Sequence, residues 1–188
     1  MGYALAEEAK KLGAEVTLIS GPVSLQSDTL SIIRVLSADD MYHAVTKAAP
    51  KAHIIIMSAA VSDYKPKTYS PHKMKKKRGP LTLHLVPTVD ILKELGKRKK
   101  PGQVLVGFAA ETDHLLKNAS QKMKKKNLDM IIANHVGKKS AGFESDFNQA
   151  TVLIKDGTQK RLPSMTKKKM AKKILALLQG KLRGQLRG

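Results

Sequence analysis

Apolar positions along this chain follow two alternating patterns from the first residues onward. Tyr3-Ala-Leu-Ala-Glu-Glu-Ala-Lys-Lys-Leu12 sets Leu5, Ala9 and Leu12 on one side of a 3.6-residue repeat, which predicts a helix stopped by Gly13. Ala14-Glu-Val-Thr-Leu-Ile-Ser20 follows at once as a strand, and Leu30-Ser-Ile-Ile-Arg-Val-Leu36 reads as a second. Ser37, with Asp40 three residues on, predicts a capped helix through about Ala48. His53-Ile-Ile-Ile-Met-Ser58 is a nearly unbroken apolar run, the pattern of a central parallel strand covered on both faces. Val104-Leu-Val-Gly-Phe108 and Asp129-Met-Ile-Ile-Ala-Asn134 are of the same kind, with a helical stretch from Thr112 to Lys126 between them. This rhythm predicts an α/β fold: a Rossmann-like open, mostly parallel sheet with helices on both faces and right-handed crossovers. A helix feeding a strand at the very start reads as the second half of a βαβ unit, so a first strand and its phosphate loop are expected upstream of Met1.

The pattern changes in the last third. Thr151-Val-Leu-Ile-Lys155 and Thr158 to Leu162 flank Asp156-Gly157, a β-hairpin signal. Ser164 is expected to cap a last amphipathic helix to about Leu178, closing one domain over 1–178, with a disordered tail over 179–188. Tyr64 to Pro80 fits neither pattern. It holds Pro66, Pro71 and Pro80 among seven Lys and Arg residues, and reads as a long basic flap rooted at the end of a central strand.

Composition adds exclusions. Of 188 residues 41% are hydrophobic, enough for a core, and no run reaches the roughly 18 apolar residues of a membrane span. The lack of cysteine excludes disulfides, thiolate chemistry and Cys-ligated zinc. The formal net charge is +20, which calls for a polyanion or an anionic substrate. Half of the basic residues sit in four clusters, Lys73–Arg78, Lys97–Lys100, Lys122–Lys126 and Lys167–Lys173. Nucleic-acid readers pair such patches with stacking aromatics; here there is no Trp, and Phe and Tyr number 3 and 4, which disfavours nucleic acid. Lys122 and Lys126, four apart, point from one helical face.

Ligands of open α/β sheets bind beyond the carboxyl ends of the strands. Three such ends are legible. After the first, Met57, Ser58, Ala59 and Ala60 let backbone approach a ligand, and Asp63 suits a ribose hydroxyl or magnesium; a tight packing turn is the alternative for 58–60. At the second, Phe108 either flanks a planar base or packs in the core. At the third, Asn134 caps the next turn or touches ligand. The six histidines lack metal-ligand spacing, and neither GxGxxG nor GxxxxGK[ST] occurs. Basic groups with one or two carboxylates and no nucleophile suit phosphate chemistry, where the protein positions groups and neutralises charge.

Taken together, Gly2-Tyr-Ala-Leu-Ala, Gly13-Ala-Glu-Val-Thr-Leu-Ile-Ser-Gly-Pro22, Ser58-Ala-Ala-Val-Ser-Asp63, Lys73-Met-Lys-Lys76, Val106-Gly-Phe-Ala-Ala-Glu-Thr112 and Lys126-Asn-Leu-Asp129 with Ala133-Asn134 resemble the bacterial phosphopantothenate–cysteine ligase family, the synthetase half of a bifunctional coenzyme A biosynthesis protein. The resemblance runs from Met1 to about Leu178. It implies a cytoplasmic, homodimeric ligase that uses CTP and Mg2+ to join 4′-phosphopantothenate and cysteine through an acyl-cytidylate. It also implies a fused or associated phosphopantothenoylcysteine decarboxylase, whose FMN site lies outside this chain. By the same resemblance Met57 to Ala60 and Phe108 border the cytosine, largely through backbone groups, and Asp63 belongs to the nucleotide site. Val89, Asp90, Ile91 and Leu92 line the same pocket. Lys73, Lys122 and Lys126 meet the triphosphate, with Lys73 and Lys122 as the catalytic pair and the flap as a lid. Two departures stand out: the family's Gly-rich segment and Asn motif ahead of Met1-Gly2 are not in the chain, and Pro87-Thr-Val-Asp90 stands where the family often has Asn-Pro-Asp. The competing readings are a Rossmann-type NAD(P)-dependent oxidoreductase fragment and a basic RNA-binding module.

Overall fold

A computed structural model describes all residues except 77–78, 112–114, 136–145 and 186–188. The elements are α1 (Gly2–Lys11), β1 (Thr17–Ser20), β2 (Ser31–Arg34), α2 (Ala38–Ala48), a 3-10 turn (Ala49–Lys51), β3 (Ile54–Met57), β4 (Tyr64–Pro66), β5 (Leu85–Pro87), α3 (Ile91–Arg98), β6 (Val104–Glu111), α4 (Leu115–Lys125), β7 (Met130–His135), β8 (Phe147–Ile154), β9 (Gln159–Thr166) and α5 (Lys167–Gln185). Five strands form the main sheet in the order β3-β6-β7-β8-β9, while β1-β2 and β4-β5 are separate two-stranded sheets. The β1–β2, β3–β6 and β6–β7 pairs are parallel; β7–β8, β8–β9 and β4–β5 are antiparallel. The architecture is thus α/β, with a parallel-rich sheet between helices.

The apolar runs explain the layers. In β6, Val104 and Val106 enter a core with Ile132, Val152, Met170 and Ile174, under α1 and α5. Leu105 faces the opposite side, where Ile131, Val45, Leu95 and Met123 pack beneath α2, α3 and α4. A strand buried on both faces has no room for polar alternation, hence its continuous hydrophobic sequence. Asp129 is the buried exception. Its Oδ2 accepts from the Leu105 amide at 2.7 Å and pairs with Lys99 Nζ at 3.0 Å, while its carbonyl accepts from Lys155. One residue thereby ties β6, the end of α3 and the β8–β9 hairpin, the first two through its carboxylate and the third through its carbonyl.

Local signals hold at the expected places. Ser37 and Asp40 form a reciprocal capping box on α2. The Asp156-Gly157 turn joins β8 and β9, with Gly157 at φ 94° and the Thr158 amide donating to Asp156 Oδ1. Three expectations change. Ser164 caps nothing, because β9 stays paired to β8 as far as Phe147↔Thr166 and the helix starts at Lys167. That helix continues to Gln185, across most of the stretch expected as a disordered tail. β3 is not central: its one ladder neighbour among the described strands is β6, and all four of its residues are half-exposed. Among the described residues, no helix is long and apolar enough to cross a membrane.

Candidate functional site

The first turn of α3 is the centre of the site. Leu92 packs over Gly107, which sets this turn above the carboxyl half of β6. Asp90 caps it, accepting from the Lys93 amide at 3.0 Å. The same carboxylate takes the Lys126 ammonium at 2.7 and 2.8 Å. Lys126 follows α4, whose end is pressed against the middle of α3. A Cβ on Gly96 would stand 2.0 Å from the Lys126 carbonyl oxygen, so only glycine permits this approach. Asn127, at φ 50°, donates from Nδ2 to the Gly96 carbonyl at 3.0 Å and locks the crossing. From there the Lys126 side chain runs along α3 to its N-terminus.

Burial works to raise the Asp90 pKa, but bonds from Lys126 and the Lys93 amide, with the charges of Lys126 and Lys122, hold it below the ordinary carboxylate value. Asp90 is therefore ionised at neutral pH. Lys122, one turn before Lys126 and half-buried, has no ion pair among the described residues. The cluster thus has two ammonium groups and one carboxylate beside the N–H groups of a helix start, a surface suited to phosphate oxygens.

The strand ends supply the rest. Met57 closes β3 half-buried, Ser58 is half-buried, and Ala59 and Ala60 are exposed. Asp63 is exposed; its carbonyl accepts from the Thr88 amide, and Thr88 Oγ1 donates to the Ser62 carbonyl at 2.6 Å. These bonds clamp the root of the flap, whose stem is the β4–β5 ribbon. Lys65 in that stem pairs with Asp39 of α2. Lys73 is exposed on the flap and joins no hydrogen bond or ion pair with the cluster. Asn134, at the end of β7, accepts from Asn148 Nδ2 at 3.1 Å.

The side chains of three expected residues turn into the core. Ile91 and Leu92 are 4% and 8% exposed. Phe108 packs with the α1–α5 core, on the opposite face of the sheet from Lys122 and Lys126; the period of two in β6 separates them. Val89, in contrast, is open to solvent at 41%. The Asp90–Lys126 pair and the Thr88 clamp escaped sequence reasoning because their partners lie 36 and 26 residues apart. The one local signal was Asp90 three residues ahead of Lys93, an N-cap pattern.

Among the described residues no group of three His, Asp or Glu side chains is arranged to hold a metal ion. A crevice lined by Thr46, Leu95, Arg98 and Gln103 lies at the amino end of β6, away from this site.

Comparison with known proteins places the chain in a family. Residues 1–181 match the family described as DFP, the DNA/pantothenate metabolism flavoprotein C-terminal domain. The chain is 51% identical over 177 residues to the coenzyme A biosynthesis bifunctional protein CoaBC of Bacillus subtilis (strain 168), covering 93% of this chain and 43% of that one. It is 44% identical over 184 residues to a cysteine/cysteine sulfinic acid decarboxylase of an unknown prokaryotic organism, covering 95% of this chain and 51% of that one. It superposes on a crystal structure of the C-terminal domain of a CoaBC protein with a TM-score of 0.82 at 38% identity, covering 97% of this chain and 82% of that one. The chain thus spans about half the length of these curated relatives. With a match across nearly its whole length, the chain belongs to the family of DNA/pantothenate metabolism flavoprotein C-terminal domains.

Proposed function

We propose that this chain is an enzyme domain of coenzyme A biosynthesis that joins 4′-phosphopantothenate to cysteine at the expense of CTP. Both curated relatives are about twice as long, so their names alone do not locate an activity within the shared half. The likeness to the C-terminal domain of CoaBC, rather than to its other half, supports the ligase reading over a decarboxylase reading. The observation that carries it is the pair of lysines, Lys122 and Lys126, gathered with Asp90 at the start of α3.

In this reading a carboxylate oxygen of 4′-phosphopantothenate attacks the α-phosphorus of CTP. The bond from that phosphorus to the β-phosphate bridge breaks, and pyrophosphate leaves. The amine of cysteine then attacks the acyl carbon of the acyl-cytidylate, loses a proton, and CMP leaves. Lys122 and Lys126 neutralise the triphosphate, where fixed cations help most as charge moves to the leaving group. Lys73 adds a third cation when the flap folds over, and the covered site keeps water from the acyl-cytidylate. Backbone at Met57 to Ala60 reads the cytosine, and Asp63 the ribose. Magnesium would screen the triphosphate charge and ask at most one carboxylate of the protein, and the exposed Asp63 would supply it. A homodimer and a fused decarboxylase half are parts of the same proposal.

A thermal-shift series tests it. CTP with Mg2+ raises the melting temperature clearly more than ATP, NAD or a short RNA at equal concentration. A shift with NAD and none with CTP would overturn the reading in favour of an oxidoreductase fragment.

A further inference from the structure

Of the basic cluster 97–100, which the proposed reaction leaves unused, Lys99 alone turns inward. Lys97 pairs with Glu94 at the surface, and Lys100 donates to the Pro50 carbonyl. The Lys99 side chain, 11% exposed, donates from Nζ to the Asn127 carbonyl at 2.8 Å and to Asp129 Oδ2 at 3.0 Å. That ammonium holds the turn that carries Lys126. Asn127 has φ 50°, in the left-handed region that residues with a Cβ rarely adopt. Two bonds hold it there: its Nδ2 donates to the Gly96 carbonyl, and its own carbonyl accepts from Lys99. Asp129 fixes Lys99 in turn, because the same Oδ2 takes the Leu105 amide of β6 at 2.7 Å. A relay of contacts thus runs from β6 through Asp129, Lys99 and Asn127 to Lys126, whose carbonyl lies against Gly96 and whose ammonium lies on Asp90.

We propose that Lys99 is a positioning residue for Lys126, acting through the backbone of Asn127; this rests on the reading of Lys122 and Lys126 as phosphate ligands. Without the Lys99 bond, one of the two ties on Asn127 is gone and its backbone relaxes toward negative φ. The peptide that joins it to Lys126 then turns, and the close approach at Gly96 opens. Lys126 leaves Asp90 and the start of α3, and the phosphate cluster loses one of its two ammonium groups. Lys99 does not reach that cluster itself. It caps the C-terminus of α3, and Asp90 caps the N-terminus, about 14 Å away along the helix axis. That exceeds the screening length of about 8 Å at physiological salt, so a direct pull of the Lys99 charge on phosphate is small. A buried ion pair adds little stability over an uncharged pair of similar volume; here the pair fixes one geometry of the turn.

The test compares the full chain with a charge-neutral double variant, Lys99→Met with Asp129→Asn. Lys99→Met alone would leave a buried carboxylate without its cation and endanger the fold. In the double variant the amide oxygen at position 129 still accepts from the Leu105 amide, so the β6 tie and the net charge stay and only the hold on Asn127 is lost. Inorganic tripolyphosphate is the probe, because it needs neither base nor ribose. Isothermal titration shows its Kd raised about tenfold in the double variant, and CTP loses the same factor while cytidine loses none. An NMR titration of the Asp90 carboxyl gives the second readout. Burial pulls its pKa up and the Lys126 bond pulls it down, so its midpoint rises toward the ordinary carboxylate value once Lys126 moves. A mere loss of stability moves neither reading in the folded chain. Parent-like tripolyphosphate affinity in the double variant, an unchanged Asp90 midpoint, or a parent chain that does not bind tripolyphosphate would each overturn the proposal. A parent chain that binds tripolyphosphate but not CTP would overturn the CTP reading and leave the role of Lys99 standing.

Discussion

Two halves of the sheet layer are written in the same language and packed differently. On one side, β6 and β7 carry Val104-Leu-Val106 and Met130-Ile-Ile132, all at most 1% exposed. On the other, β3 carries Ile54-Ile-Ile-Met57 and is half-exposed throughout. The difference is not in the residues but in the neighbours. β6 lies between β3 and β7, and β7 between β6 and β8, whereas among the described strands β3 has a ladder on one edge only. Burial of a hydrophobic strand is thus a property of the strands beside it as much as of its own side chains.

The largest expected effect sharpens this contrast directly. Ile131→Ala empties a fully enclosed position and costs about 4 kcal/mol, while Ile55→Ala, in the same core, costs about half of that or less because water already reaches the site. Denaturant unfolding of both variants checks it, and equal costs would break the comparison. Gly96→Ala comes next, at about 3 kcal/mol, since the new methyl meets the Lys126 carbonyl rather than a yielding side chain. The same variant weakens triphosphate binding by moving Lys126, a second readout by titration.

Smaller effects concern the site. Lys122→Ala lowers affinity for CTP about tenfold and leaves cytidine binding nearly unchanged, as expected of a cation that meets phosphate alone. Isothermal titration with both ligands decides it, and equal losses contradict the phosphate role. Asp90→Asn has the smallest effect and a pH signature. The folded pKa of Asp90 is depressed, so its contribution is present above the ordinary carboxylate value and is lost as pH falls through the folded pKa. The stability gap between the parent chain and Asp90→Asn is therefore constant near neutrality and closes below about pH 4. A gap that widens on acidification would contradict the Lys126 pairing.

Much of this molecule was legible before its coordinates. The α2 capping box, the Asp156-Gly157 hairpin and the buried runs of β6 and β7 each rest on spacing within a few residues, and local chemistry is what a sequence shows most directly. Ser164 misled for the same reason. It has the local look of a helix cap, but pairing with β8 keeps that stretch extended, and a ladder outweighs a propensity. In the site, the lysine pair and Asp90 were legible as residue types. Their mutual contact was not, because Lys126 reaches Asp90 only through the close approach of α3 and α4 at Gly96. Phe108 was legible as a strand-end aromatic, and the alternation of β6 turned it to the face opposite the lysines.

The sequence by itself determined the class of fold, the positions of most strands and helices, and the basic, cysteine-free chemistry suited to phosphates. These follow from periodicity, caps and composition, all short-range or global averages. Only the tertiary structure decided which strand is central, which side of β6 each residue faces, and which lysine meets Asp90 at the start of α3. Those facts depend on contacts between segments tens of residues apart, where strand neighbours and helix crossings, rather than local pattern, set the environment of each side chain.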